Sequence, residues 1–127
     1  MVFRYHHLHL VCSDLEVMIR FFVEDLGASI VCRRKFGTAD GATLDLDGVR
    51  VNLRVARPDE EISGDSTQTR YGYDHLGLEV EDLQVAYKEL VAKGYRFFIP
   101  PTETQDVWMA FFKGPDHITV ELVQPKT

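Results

Sequence analysis

The chain is written twice, and that repeat limits what it can fold into more than any other feature. Tyr5–Val11 reads Tyr-His-His-Leu-His-Leu-Val, and Tyr73–Glu79 reads Tyr-Asp-His-Leu-Gly-Leu-Glu, so that His7 falls on His75. Each histidine is followed by an Asp-Leu pair, Asp14-Leu15 and Asp82-Leu83. Aspartate is a good helix N-cap because its carboxylate accepts from backbone N–H groups left without partners at a helix start. Apolar residues then recur at helical spacing. They are Leu15, Met18, Ile19, Phe22, Val23 and Leu26 in the first half, and Leu83, Ala86, Tyr87, Leu90 and Val91 in the second. Gly27 and Gly94 stop the two helices.

The ends of the halves also match. Asp47-Gly48-Val49-Arg50-Val51-Asn52-Leu53 aligns with Asp116-His117-Ile118-Thr119-Val120-Glu121-Leu122. Asp-Gly is a two-residue hairpin signal, which predicts paired strands over 40–47 and 49–56, and over 106–113 and 117–124. One more strand precedes each hairpin, Ala28–Arg34 and Tyr95–Phe98. Each half is therefore strand, helix and three strands. The first module covers 1–56 and the second 73–125 of a single 1–127 domain. The aperiodic polar stretch 57–72 reads as a linker, and Ile99–Asp106, with Pro100-Pro101, as a stiff exposed loop. One half cannot bury both sides of its sheet and helix. Two halves can: the expected fold is α+β, two tandem βαβββ modules making a curved mixed sheet around a concave pocket, helices outside.

The composition narrows the partners. At 127 residues and 45% hydrophobic, the chain is long enough for one real core. A net charge of -6 disfavours nucleic acid and anionic membrane surfaces and leaves small molecules and proteins as partners. No stretch reads as a membrane span or signal peptide. Cys12 and Cys32 sit in separate apolar runs without a CxxC, which suits a reduced, cytoplasmic protein.

Strand alternation decides which side chains share the pocket face. Leu8, Leu10 and Cys12 belong to the helix side, so His7 and His9 face the concavity. By the same rule His75, Arg50, Asn52, Arg54 and Glu121 lie on the face away from the core. His7, Asn52, His75 and Glu121 thus occupy repeat-equivalent points. Two imidazoles and a carboxylate suit one divalent ion such as Zn, Ni, Fe, Mn or Co. A strand histidine by itself is more often an ordinary surface or core residue; the repeat is what raises this pair above that. His9 reads as a pocket liner rather than a ligand. Arg50 and Arg54 either hold a substrate carboxylate or phosphate or form a solvated strand face. Trp108 stands as a candidate substrate contact against the commoner role of packing. His6 is expected on the opposite face, without a chemical role, and His117 in an exposed turn.

These residues make the chain similar to the vicinal oxygen chelate superfamily, also called the glyoxalase/bleomycin-resistance/dioxygenase superfamily. The resemblance rests on His7 with Asp14-Leu15, His75 with Asp82-Leu83, and Gly114-Pro115-Asp116-His117-Ile118-Thr119-Val120-Glu121-Leu122. That last run resembles the family's closing Asp-Pro-Asp-Gly hairpin and Glu-Leu, with Gly114 and His117 as departures in the turn. The resemblance implies paired βαβββ modules around an open metal site with His7, His75 and Glu121 as ligands. The fourth family position is Asn52, where glyoxalase I carries Glu. A glyoxalase-like lyase or isomerase is implied, binding a small substrate through adjacent oxygens and stabilising an enolate-like intermediate, with Glu121 as ligand and base. The alternatives are an iron(II) extradiol-type dioxygenase using the two-His, one-Glu triad, and a non-catalytic drug-binding protein of the bleomycin-resistance kind. A homodimer is also implied, with the site inside one chain or shared between two.

Overall fold

Asp14 and Asp82 do what their positions promise. Each has extended backbone angles, and each carboxylate accepts from the N–H three residues on, Val17 at 3.2 Å and Val85 at 3.1 Å. In the computed structural model, which describes residues 1–63, 69 and 71–126, these caps open α1 (Leu15–Arg20) and α2 (Leu83–Ala92). The strands are β1 (His7–Cys12), β2 (Ser29–Phe36), β3 (Ala39–Leu46), β4 (Val49–Val55), β5 (Leu76–Glu79), β6 (Phe97–Glu103), β7 (Val107–Lys113) and β8 (Thr119–Pro125). The chain divides into two compact units, Met1–Gly64 and Asp65–Thr127. Part of the expected 57–72 linker, residues 64–68 and 70, lies outside the described residues.

Both units repeat one topology, an α+β arrangement of tandem modules. In the first, a four-stranded sheet runs β1-β4-β3-β2; in the second, β5-β8-β7-β6. The first strand of each module lies at one edge of its sheet and runs parallel to the last strand, its interior neighbour, and the remaining pairs are antiparallel. Strand pairing closes within each module, giving two four-stranded mixed sheets, one per βαβββ module.

The first core is built from Met18, Ile19, Phe21 and Phe22 of the helical segment with Ala42, Leu44, Val51 and Leu53 of the sheet, all buried. Burying each large apolar side chain contributes about 1.5–3 kcal/mol. Phe21 departs from the 3.6-residue pattern. Beyond Arg20 the helix widens into a π turn over Phe21–Asp25, which carries both Phe21 and Phe22 into the core, their rings 5.5 Å apart. Gly27 ends that turn at φ 82 and Gly94 follows α2 at φ 99, left-handed angles that favour glycine. The second core gathers Leu83, Leu90, Ala110, Phe112, Val120 and Leu122. Val91, placed on the apolar stripe by its spacing, is exposed.

The prolines are read differently by the fold. Pro100-Pro101 lie inside β6 rather than in a loop. The reason is position: β6 is an edge strand, paired only to β7, and its register slips between Phe97 and Ile99 and again between Ile99 and Thr102. An edge strand with bulges has N–H groups that need no ladder partner, which is where proline fits. Neither Cys12 nor Cys32 forms a disulfide; Cys12 is buried, its thiol donating to the Arg54 carbonyl at 3.4 Å, and Cys32 is exposed. No helix among the described residues is long and apolar enough to cross a membrane.

Gly41 carries a tight contact. A Cβ built there would collide with the Leu53 carbonyl and come within 2.7 Å of the Phe36 ring. Gly41→Ala is therefore expected to lower unfolding free energy by about 1–3 kcal/mol through overpacking, and Asp82→Ala by about 1 kcal/mol through the lost cap. Urea denaturation measures both. A Gly41→Ala variant as stable as the parent would contradict the contact.

Candidate functional site

In the second unit the register of β5 against β8 sets the chemistry. Gly77 pairs with Glu121 and Leu76 with Val120. His75, just before β5, thereby reaches Glu121 across the parallel pair: His75 Nε2 lies 3.0 Å from Glu121 Oε1. Its other ring nitrogen, Nδ1, lies 2.7 Å from Asp74 Oδ2. The hydrogen bond to Asp74 raises the imidazole pKa; partial burial opposes it and Glu121 adds to it. As imidazolium, His75 donates to both carboxylates. With the Nε2 proton gone, the same geometry presents a nitrogen lone pair beside a carboxylate oxygen, with Nδ1–H fixed by Asp74. That is the arrangement in which a ligating histidine is oriented by an outer carboxylate. A proton and a divalent ion would compete for Nε2. The donor chemistry here fits a divalent metal.

His75 and Glu121 are a pair. No group of three or more His, Cys, Asp or Glu side chains arranged to hold a metal occurs among the described residues. Around the pair lies an aromatic wall. Phe111 is the strand neighbour of Glu121, and its ring centroid is 5.1 Å from that of His75. Phe98 stands 5.8 Å from Phe111. Trp108 is turned the other way. Along β7 the register is continuous, so Trp108 shares a face with buried Ala110 and Phe112, and Phe111 faces the opposite side with Glu121. Its ring meets the Lys126 ammonium at 5.5 Å. Strand alternation separates Trp108 from His75 and Glu121.

The first unit carries the other expected residues. His7 and His9 alternate with Leu8, Leu10 and Cys12 along β1, and their ring centroids are 6.0 Å apart. His7 pairs in register with Arg50, and His9 with Asn52. The repeat thus holds at atomic level: Asn52 beside His9 answers Glu121 beside Gly77. Asn52 Oδ1 accepts from the Thr43 hydroxyl at 2.8 Å. His6, expected to be idle, has its Nδ1 2.9 Å from His7 Nδ1. It precedes the first strand residue and escapes the strand's alternation. This contact occupies Nδ1 of His7. Arg50 is exposed.

Arg54 finds its carboxylate inside the chain. Its guanidinium grips Glu60 with both nitrogens, at 2.6 and 2.8 Å, and Glu60 also accepts from the Arg57 backbone N–H at 2.6 Å. These bonds, Arg54 first, pull the Glu60 carboxyl down to about 2. His9 lies beside this cluster with its ring 4.8 Å from Phe36. Burial lowers its pKa, helped by the charges of Arg54, His7 and Arg57. Asp74, Thr43, Phe36, Phe111 and Glu60 did not figure among the candidates read from sequence. Only Asp74, adjacent to a candidate ligand, carried a local signal.

The comparisons with known proteins agree with one another. The Glyoxalase/Bleomycin resistance protein/Dioxygenase superfamily model matches residues 4–122. The chain is 30% identical to the uncharacterized protein YwkD of Bacillus subtilis (strain 168), over 94% of each. It superposes on a glyoxylase/bleomycin resistance protein/dioxygenase domain from Frankia sp. EAN1pec with a TM-score of 0.81 and 27% identity, covering 99% of this chain and 94% of that one. It is also similar in fold to a variant of the fosfomycin resistance protein FosX from Listeria monocytogenes complexed with Mn(II) and 1S,2S-dihydroxypropylphosphonic acid. There the TM-score is 0.77 at 18% identity, with 99% and 95% of the two chains covered.

The Glu60 cluster has a pH signature. Its carboxyl is depressed in the folded state from 4.5 to about 2. The stabilisation is therefore fully present above the unfolded value and is lost as pH falls through the folded one. Thermal unfolding followed from pH 5 downward is expected to show the parent losing stability over that window. Glu60→Gln should be less stable at pH 5 and flatter below it. Parallel profiles for the two proteins would refute the assignment.

Proposed function

Because the chain belongs to the glyoxalase/bleomycin resistance protein/dioxygenase superfamily, whose FosX member is seen with Mn(II), we propose that it is a divalent-metal-dependent enzyme acting on a small molecule through two neighbouring oxygens. The observation that carries this reading is the His75–Glu121 pair at 3.0 Å, with Asp74 fixing the far nitrogen of the imidazole. His7 is the third ligand in this proposal. Its Nδ1 is engaged by His6, which leaves Nε2 as the ligating atom. The ion would be Zn, Ni, Fe, Mn or Co, since two imidazoles and one carboxylate suit each of them. When bound, it supplies Lewis-acid polarisation of the substrate oxygens.

The protein's own residues do the remainder. Glu121, half-buried beside an imidazole, is the carboxylate suited to carry a proton between adjacent substrate carbons in a lyase or isomerase reaction. Asp74 keeps His75 in one tautomer and one orientation. Phe111 covers one side of the pair and limits water there. Asn52 is neutral, and its oxygen already accepts from Thr43. We assign it to lining the fourth corner, which stays open for substrate. His9 and Arg50 line the same face of the first module in this proposal. The open corner also suits an iron(II) dioxygenase, in which oxygen and substrate fill it.

Metal analysis of the purified, ion-loaded protein tests the reading. About one divalent ion per chain is expected in the parent, and a loss of roughly 10-fold or more in affinity in His75→Ala and Glu121→Ala. A parent that takes up no ion from any of the five would sink the proposal, leaving a small-molecule binding protein. Mixing His7→Ala with His75→Ala chains then locates the site. Metal regained in the mixture means His7 is supplied by a second copy in a homodimer; none regained means a single chain supplies all three ligands.

A further inference from the structure

Beyond the His75–Glu121 pair, the same face of the second sheet ends in a cation, Lys113, that no acid neutralises among the described residues. Lys113 pairs in register with Thr119, the rung next to Phe111–Glu121 on that face. Its ammonium donates to the Thr119 hydroxyl and lies over the Phe98 ring, 5.2 Å from the centroid. No carboxylate partners it among the described residues, although acidic side chains outnumber basic ones, 20 to 14. Elsewhere Lys35 and Lys126 are each tied to an acid at 2.6–2.7 Å. The side chain is half-buried, so the charge is partly withdrawn from water and an anion would gain by meeting it. Between the cation and the pair run Phe98 and Phe111, with centroids 5.8 Å apart and the second 5.1 Å from His75. Phe98 is 52% exposed, a large apolar ring left uncovered beside the charge.

We propose that this row is a substrate subsite, and that the ligand is a small carboxylate with a planar, apolar body. The body lies along Phe98 and Phe111. The carboxylate pairs with Lys113, about one strand rung from Glu121, some 7 Å along the sheet. The opposite end then presents its oxygens toward His75 and Glu121. The inference rests on the proposed function for that last orientation alone; the carboxylate contact stands without a metal. Lys113 is a specificity residue here, and Phe98 a platform.

The experiment uses metal-stripped full-length protein, so that it reads Lys113 independently of the metal reading. 2-Naphthoate and its neutral counterpart 2-naphthylmethanol are titrated in parallel, with affinity from calorimetry and ring contacts from NMR. The parent is expected to prefer the carboxylate by roughly tenfold, the scale of one partly exposed charge-assisted hydrogen bond. Lys113→Met should erase the preference and keep the alcohol's affinity. Lys113→Arg should retain it, and Phe98→Ala should weaken both probes together. His75→Ala should leave the preference intact, whether or not that variant has lost metal. A parent that binds neither probe, a parent without preference, or a Lys113→Met protein that keeps the preference would each overturn the proposal.

Discussion

The parallel pairing of the first and last strands of each module is the constraint on which the rest depends. In the second module it sets Gly77 against Glu121 and so brings His75, outside the strand, within 3.0 Å of that carboxylate. A slip of one residue would turn Glu121 to the helix side and send Val120 or Leu122 outward, since side chains alternate with period two. Those two residues are buried in the core. The apolar face therefore locks the register, and the register places the polar pair. Packing and chemistry are the same constraint seen from two sides of one sheet.

The two modules have used this frame differently. The second keeps a small residue, Gly77, beside its carboxylate, with Phe111 as its strand neighbour and Phe98 and Lys113 beyond. The first places His9 beside Asn52 and fills the neighbouring space with Phe36 and the Arg54–Glu60 clasp. Exposed ion pairs such as Arg33–Glu16 add little to stability. The Arg54–Glu60 pair is better sheltered, bidentate, and supported by a backbone N–H. It ties the segment after β4 to the first sheet rather than decorating the surface. Membership of the glyoxalase/bleomycin resistance protein/dioxygenase superfamily accounts for the shared frame. It does not account for these fillings, which are where a family with many functions differentiates.

What was legible in the sequence follows from which forces are local. Asp14 and Asp82 act on N–H groups three residues away, so their roles could be read from spacing. The turns at Asp47-Gly48 and Asp116-His117 are likewise local, and both adopt positive φ. Alternation on β1 and β4 correctly separated the histidines and Asn52 from Leu53 and Val51. The misreadings arose where neighbours in space overruled neighbours in sequence. Pro100-Pro101 joined a strand because that strand is a bulged edge, paired on one side only. Phe21 entered the core because the helix widened. Trp108 left the site because β7 carries it to the same side as Phe112.

The sequence by itself determined the duplicated βαβββ plan, the helix starts and stops, and the placing of His7, His75, Asn52 and Glu121 at equivalent points, because each depends on periodicity within one segment and on comparison between halves. Only the tertiary structure decided the partners: Asp74 and Glu121 on the two nitrogens of His75, Thr43 on Asn52, Glu60 on Arg54, and Phe98 under Lys113. Most of those contacts join separate segments of chain. Register and packing bring such segments together, and no local pattern in either one encodes the meeting.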